Sequence, residues 1–297
     1  MATAAAAGPS RYRGGLLFVF LAFVAFSTGG VILRYIASDD GFAILFWRSV
    51  PWLVAMLLFV SWRNGWRLVG PMRRAGPSAV LVGLGVTGAA CGYIFGVQHT
   101  TVANVVFTFS ATPFLTALLG RWLLGERVSA RTWLAIAAAL AGVVLMVGDG
   151  LGTGSWFGNL LALGASLSFS LTLIVLRRAG QSDMLPGAVW GAVISLLVGG
   201  LLARDLALSP ADIAWCAAFG VTNMTVGLVL LTLGARHIPA AETALLGLTE
   251  SVLAPIWVWL VFAEQPGPLT LAGGLVVLGA VAWRALAPPD PPAPARA

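Results

Sequence analysis

Apolar residues run along this chain in ten stretches of about twenty, and a helix of that length crosses a bilayer's hydrocarbon. Bounded by charges or by Pro/Gly turns, they predict helices near 14–36, 42–61, 78–98, 101–124, 130–148, 156–176, 184–203, 211–234, 239–262 and 268–286. Strands are excluded because no run alternates with period two, and an unpaired backbone amide in hydrocarbon costs several kcal/mol. The first run follows Arg11 and Arg13 like a secretory signal, but it continues to Arg34 without an A-x-A site and is expected to remain as an uncleaved span. The tails, 1–13 and the Pro-rich 288–297, carry no periodicity and are expected to be disordered and cytoplasmic.

Composition agrees with a multi-pass membrane protein. Of 297 residues, 59% are hydrophobic and 9% charged, with a mean hydropathy of +0.93. The charge adds orientation. If both termini share a side, that side collects fourteen of the 17 basic residues, while Arg34 and Arg204 fall opposite and Arg48 lies inside a helix. Such a bias places both termini in the cytoplasm of a bacterial-type inner (plasma) membrane. The net charge of +6 is therefore a topology signal, and no basic soluble module is present to bind nucleic acid. Every basic residue is arginine. Without lysine there is no Walker A loop and no pyridoxal or retinal Schiff base, so no cofactor is expected. Cys91 and Cys216 lie far apart within predicted helices and read as packing residues; no metal site is expected.

Gly83 to Gly88 spells G-x-G-x-x-G, but no β-α-β unit surrounds it. Gly88, Gly92 and Gly96 extend the pattern at four-residue spacing, predicting a smooth face for close approach of another helix, as do Gly187 and Gly191. A second pattern is a repeat. Shifting the chain by 138 residues lays His99 on His237, Ala103 on Ala241, Leu115 on Leu253, Glu126 on Glu264, Thr132 on Thr270, Leu140 on Leu278 and Val143 on Val281. Histidine and glutamate are rare here, and each match falls at the same helix end. We therefore read two five-helix halves, 14–150 and 151–287. Five is odd, so the halves enter the membrane from opposite sides as an inverted repeat, the arrangement of carriers that open a midplane site to each side in turn.

The run Ala103 to Val147, with Pro113 in mid-helix, Gly125-Glu126 ending helix four and Gly142-Val143 closing a small-residue helix five, resembles the EamA domain of the drug/metabolite transporter superfamily. Ala241 to Val281, with Glu264 and Gly273-Gly274, resembles a second copy. The resemblance implies an all-α integral membrane bundle of ten helices around a central cavity that moves small metabolites or drugs, often outward. Within the superfamily, the overall likeness points to the YddG-like amino-acid exporter branch, without a diagnostic motif.

Polar groups at bilayer depth are expensive and mark candidate sites. Glu250 lies in mid-helix between Thr249 and Ser251, one turn before Pro255, whose missing amide frees a carbonyl. It reads as a carboxylate for a substrate ammonium or a proton, or alternatively as a protonated packing group. Asn223, beside Thr222 and Thr225, can donate and accept in the same cavity, or make an interhelical hydrogen bond. Thr112 occupies the repeat position of Glu250, next to Pro113. Arg48 lies a third of the way in, between Trp47 and Pro51; it can clamp a carboxylate, pair with Asp39 or Asp40, or snorkel. Tyr93, Trp190 and Trp257 lie deep enough to line a pocket or to fill space, whereas Trp62, Trp66 and Trp156 mark interfaces. Glu126 and Glu264, on opposite faces, read as helix caps assisted by Ser129 and Thr270, and His99 and His237 are likewise on opposite faces.

The expectation is a secondary carrier exporting amino acids or other small metabolites around Glu250, Asn223, Arg48, Thr112, Tyr93, Trp190 and Trp257, with Pro113 and Pro255 as hinges. Its partners are the solute, membrane lipid and, for exchange, protons; a monomer is allowed. The rivals are a multidrug or other metabolite exporter and a lipid-modifying membrane enzyme. The enzyme is disfavoured by the lack of H-E-x-x-H, G-x-S-x-G or an interfacial His/Asp cluster.

Overall fold

A computed structural model describes residues 9–99, 105, 108–126, 128–147, 156–179, 184–262 and 268–287. Among them every regular element is helical, in ten spans. The first, α1, runs Pro9–Ser27, breaks at Thr28 and resumes as Gly29–Arg34. Then come α2 (Gly41–Arg63), α3 (Val69–His99) and α4 (Thr112–Leu119, extended by a π turn Gly120–Leu124). They are followed by α5 (Ala130–Val147), α6 (Trp156–Ala179) and α7 (Leu185–Leu202). Next is α8, in which a π stretch Gly220–Gly227 joins Pro210–Phe219 to Leu228–Ala235. The last two are α9 (Ala240–Phe262) and α10 (Pro268–Leu286). Seven of the spans are long and apolar enough to cross a membrane by length and composition alone. Residues 1–8 and 288–297 of the tails, the loop 149–155, and the repeat positions Ala103 and Glu264 lie outside the described residues, whereas 9–13, expected as disordered tail, are the start of α1.

Local chemistry accounts for the interruptions. Ser27 and Thr28 donate their hydroxyls to the carbonyls of Val24 and Ala25, both at 2.7 Å, competing with the backbone ladder just before the flexible pair Gly29-Gly30. In α3, Gly76 adopts φ 58° ahead of Pro77 and kinks off the first turns bearing Arg73 and Arg74, so the straight part begins where hydropathy predicts. Pro113 was expected to bend α4 in mid-helix. It stands instead in the first turn of a helix that restarts at Thr112 after a turn at 110–111, where a missing amide breaks no bond. The helix α9 is continuous through Pro255.

Small residues set the packing. The glycine face of α3 lies along α6 and α7: a Cβ at Gly92 would sit 2.6 Å from the carbonyl oxygen of Leu161, and one at Gly83 2.7 Å from the backbone nitrogen of Gly191. Across the bundle the pairings exchange in a regular way. The helix α3 lies along α6 as α8 lies along α1, α3 meets α7 as α8 meets α2, and α1 meets α9 as α6 meets α4; α2 pairs with α7, and α5 with α10. This exchange is consistent with two repeated halves.

The two ends of the bundle are fixed by polar contacts. At one end Tyr12 of α1 donates to Glu242 of α9 at 2.6 Å, and Arg284 of α10 pairs with Glu242 and donates Nε to Thr132 of α5 at 2.7 Å. At the other, Gln98 donates to the Asp39 carbonyl at 2.9 Å, Trp47 to that of Leu206 at 2.7 Å, and the Ala37 N–H to Asp212 at 2.8 Å. Thus α1 begins and α10 finishes at the same end. The helix α6 starts at the opposite one, where the ring of Phe157 meets His99 with centroids 5.4 Å apart.

Candidate functional site

A cavity of about 120 Å³ lies inside the bundle, nearer the end that carries residues 37–40 than the end held by Glu242 and Arg284. Both halves build it. Phe26, Gly29 and Gly30 come from α1, Arg48 from α2, Tyr93 from α3, Phe109 from the segment before α4, Phe169 from α6, Phe219 and Asn223 from α8, and Glu250 from α9. The wall is apolar and aromatic except for Arg48, Tyr93, Asn223 and Glu250, four of the seven side chains expected from sequence. This is the composition of a site that holds an organic molecule by shape and orients it by few polar groups.

Arg48 is held in place by a close helix crossing. The π stretch of α8 approaches α2 at Gly220, where an added Cβ would lie 3.1 Å from Pro51 Cγ and closer still to the Arg48 carbonyl. The side chain is 2% exposed. Its Nη1 contacts the Met224 sulfur at 3.7 Å and its guanidinium stands 5.3 Å from the Phe219 ring centroid, while Nε and Nη2 have no hydrogen-bond partner. It neither snorkels nor pairs with Asp40. That carboxylate caps α2 through the N–H groups of Phe42 (2.9 Å) and Ala43 (3.3 Å) and accepts from the Arg204 N–H at 2.8 Å.

Glu250 faces the cavity and takes part in neither of the described ion pairs, Glu126–Arg177 and Glu242–Arg284. Asn223 is 4% exposed, and its Nδ2 donates to the carbonyls of Phe26 (2.8 Å) and Ala25 (3.3 Å). It therefore supports the broken turn of α1 as well as lining the wall. Thr225, bonded to the Gly220 carbonyl at 3.1 Å, spans the π turn that aims Asn223. Tyr93 packs edge-on against Phe109, with centroids 6.2 Å apart.

Three expected residues do not reach the cavity. Thr112 is spent between helices, donating to the Phe109 carbonyl at 2.5 Å and bonding the Ser166 hydroxyl at 2.9 Å. Trp257 donates its indole N–H to Ser27 at 2.7 Å, bridging α9 to the end of the first α1 segment. Trp190 packs against α3 at Gly83. Glu126 is not the cap of α5: Ser129 accepts from the Thr132 N–H at 3.2 Å, and Glu126 pairs with Arg177 at 2.9 Å. The buried pair of Glu242 and Arg284, each 2% exposed, was not singled out by the sequence. The available signal was Glu242 itself, a carboxylate two turns before Glu250 in an otherwise apolar helix.

The chain matches the model of the EamA-like transporter family over residues 13–148 and again over 156–284. It is 27% identical to a riboflavin transporter of Rhizobium johnstonii, covering 94% of this chain and 93% of that one. It is 23% identical to a pseudopaline exporter of Pseudomonas aeruginosa, covering 90% and 94%. A solved crystal structure superposes with a TM-score of 0.79 at 17% identity, over 90% of this chain and 95% of that one, which establishes a common fold.

Proposed function

Because the chain belongs to the EamA-like transporter family, we propose that this membrane transporter is a secondary carrier exporting small metabolites, amino acids foremost, by alternating access. The observation that carries the reading is the cavity. Four polar side chains contributed by both halves stand in an otherwise apolar interior wall, and such groups at bilayer depth are retained for solute contact or ion coupling. The opposite starting ends of α1 and α6 and the exchanged helix pairings suit an inverted repeat whose halves rock about that site. With the Glu242–Arg284 end on the cytoplasmic side, the orientation the arginine bias favours, the cavity lies nearer the exterior end of the bundle. Likeness to a relative named an exporter fits the direction.

In this reading Glu250 receives a solute ammonium or an exchanged proton, and Asn223 holds the α1 break against the pocket. Purified protein in vesicles loaded with pooled labelled amino acids tests it. Saturable release is expected from the unaltered protein, with a loss of about tenfold or more in Glu250→Gln if a charge-assisted contact is removed. Full transport and affinity in Glu250→Gln would remove the central site, and flux indifferent to a pH gradient would remove proton coupling through Glu250.

A further inference from the structure

We propose that Arg48 is an oxyanion subsite of the cavity, so that the transported solute carries a carboxylate, or another planar or tetrahedral oxyanion, as one of its ends. The proposal rests on the carrier reading only in taking the cavity as the solute's site. Its ground is the state of the guanidinium. Arg48 is 2% exposed, far too buried for water to satisfy it, and its Nε and Nη2 have no partner. These two atoms share one edge of the guanidinium, and their N–H groups form the parallel fork that takes both oxygens of a carboxylate. The remaining contacts, a thioether and a phenyl ring, are weak acceptors.

Asp40, Asp205 and Asp212, at this end of the bundle, are committed elsewhere, Asp205 accepting from the Ala207 N–H at 2.8 Å. Asp40 caps α2 and holds the Arg204 N–H, and Asp212 accepts from the Ala37 N–H and from the Ser209 hydroxyl at 2.9 Å. Glu250 shares the cavity wall without forming an ion pair to Arg48. A buried cation with an empty bidentate edge is strongly disfavoured unless an anion joins it, and a solute in the cavity can supply that anion. The fork is shielded in the present conformation, so a solute reaching it displaces the Met224 contact and swings the side chain toward the cavity. The aromatic wall of Phe26, Phe109, Phe169 and Tyr93 then receives an apolar body, and Glu250 remains for a cationic or hydrogen-bond-donating end.

The test compares matched probes on the full-length protein in detergent by calorimetry. L-leucine, L-methionine and L-glutamine are each set against their carboxamides, and inorganic phosphate against buffer. At least one amino acid is expected to bind about tenfold more tightly than its carboxamide, the loss typical of one charged hydrogen-bond pair, or phosphate to give saturable binding heat that buffer does not. A preference confined to phosphate identifies the oxyanion as phosphate rather than carboxylate. Arg48→Met is expected to abolish the preference and Arg48→Lys to restore part of it, while Gly164→Ala, on an open face of α6, leaves it in place. Equal binding of acids and amides with no response to phosphate, or a preference that survives Arg48→Met, overturns the assignment. The carrier reading is judged separately by vesicle flux: saturable transport without an acid preference sinks only the subsite, and an acid preference without saturable transport sinks only the carrier.

Discussion

Glu242 and Arg284 are each 2% exposed and meet in a network with Tyr12 and Thr132. Removing one partner leaves an uncompensated charge, so Glu242→Gln and Arg284→Met are each expected to destabilise the protein by about 3–5 kcal/mol, with the double replacement less damaging than the two effects added. Thermal unfolding in detergent checks this, and additive losses would mean that the pair is not coupled. Sequence reasoning handled single residues unevenly for a physical reason. Position along an apolar helix gives depth in the membrane, and depth selected Arg48, Tyr93, Asn223 and Glu250, which line the cavity wall. Depth says nothing of azimuth in helices that are apolar all round, which is why Thr112, Trp190 and Trp257 were indistinguishable from cavity groups. Glu242 and Arg284 failed differently: a charge near the end of a span looks the same whether it faces water or a partner.

The helix α3 offers a sharper test at the level of elements. At Gly92 a Cβ would meet the Leu161 carbonyl at 2.6 Å and Ala165 at 2.9 Å, whereas at Gly164, on α6, nothing lies within 4 Å. Gly92→Ala is expected to cost about 1–3 kcal/mol through forced separation of α3 and α6, and Gly164→Ala to be neutral or slightly stabilising by helix propensity. Equal melting temperatures for the two would refute the close-packing account. The boundaries of most spans were legible to within a few residues, because hydrocarbon thickness fixes their length. The α1 break and the π stretches were not. A hydropathy window averages over the Ser27-Thr28-Gly29-Gly30 cluster, and an i→i+5 turn at Gly220–Gly227 has the same composition as an α turn.

Taken as a whole, the molecule is anchored at both ends by titratable groups outside the membrane-spanning segments. At one end burial would raise the Asp40 carboxyl, but the N–H groups of Arg204, Ala43, Phe42 and Asp205 outweigh it and hold the group below its ordinary value. At the other, burial and then Arg236, Arg11 and Arg177 keep His237 below the ordinary imidazole range. Its Nε2 accepts from Arg236 at 3.2 Å, which requires the neutral ring. Both shifts have the same sign: the unfolded chain binds protons that the folded one refuses, so stability rises with pH. The melting temperature is expected to fall on acidification from about pH 7, first as unfolded histidine protonates near 6.5 and then through the carboxylate range. His237→Gln should flatten the first part and Asp40→Asn the second; a stability maximum below pH 5 would contradict both. The two-half organisation was readable because His99/His237 and Glu126/Glu264 recur at a constant shift, rare residues surviving in a background where leucine matches leucine by chance.

The common end shared by the start of α1 and the finish of α10 has a practical corollary. A hydrophilic linker can splice two copies head to tail without any extra segment crossing the lipid, and each copy keeps its insertion. Such a concatemer, with one Arg48 altered, would count how many intact units a transport event requires.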